Sequence, residues 1–480
     1  LMFSALAAVS LAGDWNQWRG PNRDGAAGDS PPLISSLPKA GLKPLWTSEE
    51  IPSARSGGWS SPVVAGGKTY VFTHSRKVKE GLGLPKKKFP WLAPEKRTGM
   101  TAKEYEEYER NRRDEDERHG ALYGYVETVY CLDAATGKTL WKNERDSAYT
   151  RFLHSGSPAV IDGRIHVLGA GRTAHCVDAS TGRSIWTTKM PGDFRDEFMM
   201  SSFAVADGAA VVLAGSLFGL DAKTGELLWQ GDPKSTRGTH SSPVVWKTGD
   251  QELIVVNVAG SETICLEPRT GKERWRAETQ AGLSTPVLQG DLMITSGNSR
   301  KKGVRCFRMS LEGAEEAWAY QGVADKGSSP VIVAGHLYVQ GERRLSCVDL
   351  QNGEECWSTL LNLGKPQYTS LLAADGKVLY ALDGLLIFAA DPQRFRSLVE
   401  AKFDAEGLMA SEASIREMLD LDALEKTPEG QKKARALYQK KVGGHGPLVC
   451  ATPAIANGKL YVRFKNRLAC YDLTNPAAGQ

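Results

Sequence analysis

Short runs of alternating apolar and polar residues, each broken by a turn carrying glycine, recur along the whole chain and predict β-hairpins rather than helices. The first hairpin of most units opens on a Ser/Thr-Pro step: SSPVVAGGKTYVF (60–72), GSPAVIDGRIHVL (156–168), SSPVV (241–245), STPVLQGDLMIT (284–295), SSPVIVAGHLYVQ (328–340) and ATPAIANGKLYVR (451–463). SSFAVADGAAVVL (201–213) and TSLLAADGKVLYAL (369–382) keep the pattern without proline. A second hairpin follows, marked by CLDAATGKTLW (131–141), CVDASTGRSIW (176–186), GLDAKTGELLW (219–229), CLEPRTGKERW (265–275) and CVDLQNGEECW (347–357). Degenerate copies stand at 306–318 and 388–398, and CYDLTNPAAGQ ends the chain. One unit is therefore four antiparallel strands.

Taken alone, Thr136-Gly137-Lys138 looks like half of a phosphate-binding loop. A true one needs two glycines bracketing four residues and a helix behind them, and a catalytic loop is needed once, whereas this stretch returns in unit after unit. Its chemistry is that of a turn: Asp133, Asp178, Asp221 and Asp349 can accept from turn amides, while Gly137, Gly182, Gly225, Gly271 and Gly353 supply a positive φ. Trp141, Trp186, Trp229, Trp275 and Trp357, four residues on, are expected to pack between adjacent sheets. Four-stranded units recurring every roughly 40 to 46 residues are the signature of a β-propeller. The expected fold class is all-β: an eight-bladed propeller of four-stranded blades. The last unit lacks an outer strand, and KPLWTSE (43–49), with Trp46, is expected to supply it, closing the ring and removing unpaired edges. The predicted organisation is a signal-like segment 1–12, a leader 13–42 and the propeller 43–480.

Composition changes this picture little. With 41% hydrophobic and 24% charged residues and a net charge of +4, wholesale disorder is excluded and no nucleic-acid footprint is present. LMFSALAAVSLAG resembles the apolar core and cleavage site of a secretory signal, which predicts a periplasmic or secreted protein; a buried N-terminal segment is the other reading. Six of the eight cysteines (Cys131, Cys176, Cys265, Cys306, Cys347 and Cys470) hold one site in successive repeats and are read as small buried hydrophobes. Cys356 faces Cys347 across its hairpin, where a disulfide is open. No Cys/His spacing suggests zinc.

Two charged stretches interrupt the repeats. At about 75–124, PKKKFPWLAPEKR is followed by a helix that Thr101 and Glu104 open with a capping box; at about 400–447, SIREMLDLDALEK and QKKARALYQKK read as helices. Propeller connectivity puts both above one rim, opposite the Asp-x-x-Thr-Gly turns. Arg55, Arg151, Arg195, Arg237, Lys326 and Lys365 precede inner strands on that rim and, with His154 and His240, form a candidate positive funnel mouth. Trp59, Met200, His240, Tyr368 and Cys450, just ahead of the openers, are expected to line the channel. In the alternative reading the arginines pair with Asp193, Asp196 and Glu197.

The Asp-x-x-Thr-Gly-x-x-x-Trp repeats and Ser-Pro openers resemble the PQQ-like (quinoprotein alcohol dehydrogenase-like) eight-bladed propeller superfamily from about residue 43 onward. WNQWRGPNRDG (15–25) resembles the leader of exported propellers with such repeats. The superfamily holds quinone-dependent dehydrogenases and a non-enzymatic branch that includes the outer-membrane assembly lipoprotein propeller. The dehydrogenase resemblance implies PQQ with calcium, adjacent cysteines beneath the quinone, a Glu/Asn/Asp calcium set and an aspartate base. No Cys-Cys occurs, and Glu127, Asn257 and Asn298 are polar residues without a repeat role. No cysteine lies near Ala12 to carry a lipid anchor. The expectation is a monomeric, non-catalytic binding or scaffold protein without cofactor or metal, which engages a protein, peptide or glycan through the insertion-bearing face. A PQQ-dependent dehydrogenase oxidising alcohols or sugars is the alternative.

Overall fold

A computed structural model describes residues 13–192, 199–362 and 368–474. The hairpins assemble into eight antiparallel sheets arranged as the blades of a propeller, seven of four strands and one, blade 7, of five. Blades 1 to 8 begin with the inner strands Val63–Ala65, Ala159–Ile161, Ala204–Ala206, Val244–Thr248, Val287–Gln289, Val331–Val333, Leu372–Ala374 and Ala454–Ala456. Blade 8 is completed by Trp46–Thr47, with Trp46 opposite Cys470 and Thr47 opposite Ala469. Arg463, buried in blade 8, strengthens that closure by donating to the Ser53 hydroxyl at 3.1 Å and the Pro52 carbonyl at 2.9 Å.

The Thr-Gly turns join each blade to its neighbour. Asp178 Oδ1 accepts from the amides of Ser180 and Thr181 at 3.0 and 2.7 Å and from the Thr181 hydroxyl at 2.8 Å. These bonds hold its carboxyl down at about 2, the Ser180 hydroxyl contributing most. Asp133 and Asp221 repeat the amide pattern. The turn bends until Gly182 reaches φ 75° and its Cα lies against the Trp141 ring of the preceding blade; a Cβ there would sit 2.6 Å from that ring. The same stacking places Trp46 on Gly137, Trp186 on Gly225, Trp229 on Gly271 and Trp318 on Gly353. The indole N–H then donates into the next blade, from Trp46 to Ala134 O (3.0 Å), Trp229 to Pro268 O (2.8 Å) and Trp318 to Leu350 O (2.9 Å). Burying a tryptophan removes roughly 150–250 Å² from water, on the order of 4 kcal/mol, against about 1 kcal/mol for the hydrogen bond. Packing therefore carries the joint, and the N–H fixes its angle. Trp318 ends the degenerate copy at 306–318, which lacks the Asp-x-x-Thr-Gly turn but keeps the tryptophan.

The leader closes one end of the central channel, on the face that carries the Thr-Gly turns. Trp15 bridges to Val64 of blade 1, Ala26 pairs with Ala373 of blade 7, and Leu33 with Thr474 beyond blade 8. Between them Arg19 and Arg23 are buried. Arg19 donates to Ser329 O at 2.9 Å and to Pro330 O of blade 6. Arg23 donates to Ser202 O (3.0 Å), Pro243 O (2.9 Å), Phe203 O and the Gln17 side chain (2.7 Å). Burial pulls the Arg23 guanidinium down to about 9 and the Arg19 guanidinium to about 10, so both remain cations at neutral pH.

The first insertion extends the middle strands of blade 1, Lys68–Val78 and Tyr123–Asp133, before leaving them, so the excursion proper is 79–122. It holds α1 (Ala102–Gly120), opened by the predicted Thr101–Glu104 capping box. The second insertion carries α2 (Glu412–Met418), α3 (Leu421–Leu424) and α4 (Pro428–Lys441). The second insertion is tied to the leader: Met409 and Leu42 exchange hydrogen bonds of 2.7 and 2.9 Å, and Lys39 meets Glu417 of α2 at 3.2 Å. Cys347 and Cys356 are both free thiols.

Gly182→Ala is expected to cost about 2–4 kcal/mol through backbone strain and overpacking against Trp141, read from the urea midpoint; an unchanged midpoint would contradict the docking. Arg23→Met leaves the Ser202, Phe203 and Pro243 carbonyls without their donor and is expected to cost about 3 kcal/mol in the same measurement.

Candidate functional site

The axis of the propeller is ringed by hydroxyls. The residue that closes each opener points its oxygen at the neighbouring blade: the Ser61 amide donates to Ser157 Oγ (2.9 Å), Ser157 to Ser202 (2.8 Å), Ser202 to Ser242 (3.0 Å) and Ser242 to Thr285 Oγ1 (2.9 Å). The chain of bonds runs on from Thr285 to Ser329 (3.2 Å), from Ser329 to Ser370 (3.1 Å) and, across the closure, from Thr452 to Ser61 (2.8 Å). A residue before proline is held extended, which aims its amide across the blade boundary, and only a short hydroxyl side chain can meet it there. The Ser/Thr-Pro step was visible in the sequence as a strand opener; its role as an inter-blade latch was not.

Above this ring, Ser155, Met200, His240, Leu283, Gly327, Tyr368 and Cys450 surround a neck of only about 50 Å³, whose floor is Trp18 of the leader. Trp18 Nε1 donates to Thr452 Oγ1 at 3.2 Å. Tyr368 and Cys450 stand at φ 61° and 71°, left-handed values that are strained for side chains of this size. Asp325 pins the neighbouring backbone, accepting from the amides of Gly327 (2.9 Å), Ser328 (2.9 Å) and Tyr368 (3.2 Å). Burial pushes the Cys450 thiol up to about 11, aided by Asp325, and lowers His240. The thiol therefore stays protonated at neutral pH and is a poor nucleophile.

The remaining candidates scatter. Arg55, Arg237 and Lys326 are exposed on the loop face, and Trp59 is half-buried outside the neck lining. Arg151 lies 3.8 Å from Asp116 of α1 and over the Phe152 ring. Arg195 and Lys365, with Asp193, Asp196 and Glu197, lie outside the described residues. Asn257 is spent on Ser284 O (2.8 Å) and Thr263 (2.7 Å), and Asn298 is exposed.

His154 is not at the funnel mouth: it is 1% exposed, between blades 1 and 2. There it meets His74, ring centroids 5.5 Å apart, beside the buried pair Glu127–His175 at 3.2 Å. Burial alone would raise the Glu127 carboxyl, but the His175 hydrogen bond, the charges of His175 and His74 and the Ala170 amide hold it at about 2. Burial, then His74, drives His154 down to about 3.

A family model described as outer membrane protein assembly factor BamB, of the PQQ-like repeat type, matches residues 126–359. The fold is an eight-bladed β-propeller, and its central stretch carries repeats similar to the PQQ-like type. Quinohemoprotein alcohol dehydrogenase from Comamonas testosteroni superposes on this propeller with a TM-score of 0.55 at 12% identity, over 97% of this chain and 81% of that one. A europium-containing methanol dehydrogenase gives 0.53 at 12% identity, over 96% and 98%. BamB from Moraxella catarrhalis gives 0.49 at 12% identity, over 73% and 91%. No curated protein sequence matches the propeller. At such identities the likeness is one of fold.

The neck does not fit a quinone with calcium. Its volume of about 50 Å³ is far below the ~300 Å³ at the small end of ligand pockets, and among the described residues no three His, Cys, Asp or Glu side chains converge on a cation position.

A histidine whose folded pKa lies below its unfolded value binds protons more readily once unfolded, so acidification favours unfolding. With His154 near 3 and His74 and His175 also lowered, stability to urea is expected to fall as pH drops from the ordinary histidine value of 6.5 toward 3. His154→Phe should make that decline shallower; an equally steep profile would contradict it.

Proposed function

We propose that this propeller is an exported, non-catalytic binding protein that recognises a protein, peptide or glycan partner through its loop face. The observation that supports this reading most is the closure of the axis: the leader plugs it from the Thr-Gly face, and the tip of that plug, Trp18, floors the narrow neck left on the loop face. What remains accessible on the loop face is a surface. There the first insertion exposes Leu82 (46%), Leu84 (48%) and Trp91 (62%) close in sequence to the exposed Lys86 and Lys88. Large apolar side chains bordered by cations suit a partner offering an apolar patch with acidic edges, the arrangement in which a few aromatic and leucine anchors carry most of the binding energy. The raised Cys450 thiol and lowered His240 favour packing over nucleophilic chemistry.

Cross-linking followed by affinity capture is expected to retain a partner with the intact chain and to lose it when residues 79–122 are replaced by a short glycine linker, or when Leu82, Leu84 and Trp91 are changed together to serine. In parallel, titration with PQQ and calcium should give no quinone absorbance band and no dye-linked oxidation of alcohols or sugars. Stoichiometric quinone uptake with turnover would overturn the reading.

A further inference from the structure

The leader demonstrates how this fold receives an extended chain. Trp15 exchanges both hydrogen bonds with Val64 of blade 1, at 2.7 and 2.8 Å. Asn16 O accepts the Val160 amide of blade 2 at 2.8 Å, and its side chain donates back to Val160 O at 3.1 Å. Gly25 O and the Ala27 amide bracket Ala373 of blade 7, both at 2.8 Å. Val64, Val160 and Ala373 share one place: each is the second residue of its inner strand, paired with Thr69, Ile165 and Val378 of the second strand. In the antiparallel alternation that residue forms the non-hydrogen-bonded pair, so its N–H and C=O point to the axis.

Val205, Val245 and Leu288 hold the same place in blades 3, 4 and 5, opposite Ala210, Ile254 and Met293. The leader makes no backbone pairing with them: it turns back at Gly20–Arg23 and returns to blade 7, so that Gln17, Pro21, Asn22 and Asp24 form one wall of the space in front of them and the Arg23 side chain bonds to blades 3 and 4. All three are half-buried and line a cavity of about 840 Å³ on the Thr-Gly face, within the usual ligand-pocket range. Its rim carries both signs, Arg164 and Lys223 with Asp162 and Asp207, so a small anion or cation gains nothing there. A neutral polar backbone does.

We propose that the crescent of Val205, Val245 and Leu288 takes an extended peptide segment of a protein partner, which adds its backbone to these three inner edges as the leader adds to blades 1, 2 and 7. Each edge offers one donor and one acceptor facing the axis, and apolar walls from Ala206 and Trp246 flank the track. The site lies on the face opposite the first insertion and works independently of it.

The test selects displayed random peptides about twelve residues long, enough for roughly 40 Å of extended chain, on the full-length protein, and measures the selected peptides in solution. Bound peptide is expected to slow hydrogen exchange at the amides of Val205, Val245 and Leu288. Val245→Pro, which deletes one axial donor, is expected to weaken binding by about tenfold or more, and removal of residues 79–122 to leave it unchanged. Gln289→Trp, which fills the cavity without deleting a backbone donor, reads the same loss should the proline variant not fold. The proposal is overturned if selection yields no binder, if neither variant weakens the binders, or if bound peptide alters exchange at Val64, Val160 and Ala373 and leaves Val205, Val245 and Leu288 unchanged, which would mean displacement of the leader. It is equally overturned if binding disappears with residues 79–122, whereas that deletion is what the loop-face reading requires to abolish capture of its own partner.

Discussion

A tryptophan leaving the outer strand of one sheet and lying flat on the glycine of the next is the contact on which the architecture depends. It couples two local requirements that have different physical origins. The turn must be tight, which the Asp carboxylate and Thr hydroxyl secure by satisfying its amides, and it must have no side chain at its apex, which glycine alone meets with φ near 75°. Once both hold, a flat surface appears where an indole can be buried, with its N–H satisfied at Trp46, Trp186, Trp229 and Trp318. Repeated around the ring, this sets the angle between neighbouring sheets, and the angle sets how many sheets close.

The inner circumference follows from the outer one. With the blades held at that pitch, seven hydrogen bonds link the eight opener residues near the axis, and their hydroxyls form a second belt from Thr452 round to Ser370. The two belts leave a narrow bore, and the leader plugs it from the turn side. Binding chemistry is thereby pushed outward to the two faces, where loops vary without disturbing the packing. The strained Tyr368 and Cys450 backbones sit where the bore narrows, held by Asp325 and by the belts around them.

Much of this was legible in the chain. The period, the four-strand unit, the Asp-x-x-Thr-Gly turn and the closing role of Trp46 all follow from local patterns, because each is enforced by residues within a few positions of one another. What stayed hidden depends on residues far apart in sequence. Arg19 and Arg23 read as an ordinary polar leader, yet their partners are carbonyls some 180 to 350 positions away. His154 was grouped with the rim cations because it precedes an opener; the longer strands of blade 1 brought His74 and Glu127 alongside it and enclosed it. The second insertion was placed by connectivity alone, and the pairing of Leu42 with Met409 that ties it to the leader had no local signal. The neck residues Met200, His240, Tyr368 and Cys450 were found by their offset from the opener, but their offset gave no measure of how little space they enclose.

Blade 8 joins residues 46–47 to residues 454–472. Its sheet cannot form until more than four hundred intervening residues exist, so the ring closes through a pairing of residues far apart in the chain. Such a non-local step makes assembly slow, and contacts formed after the folding transition state act chiefly by slowing unfolding. Persistence against proteases would then rest on a barrier more than on an equilibrium.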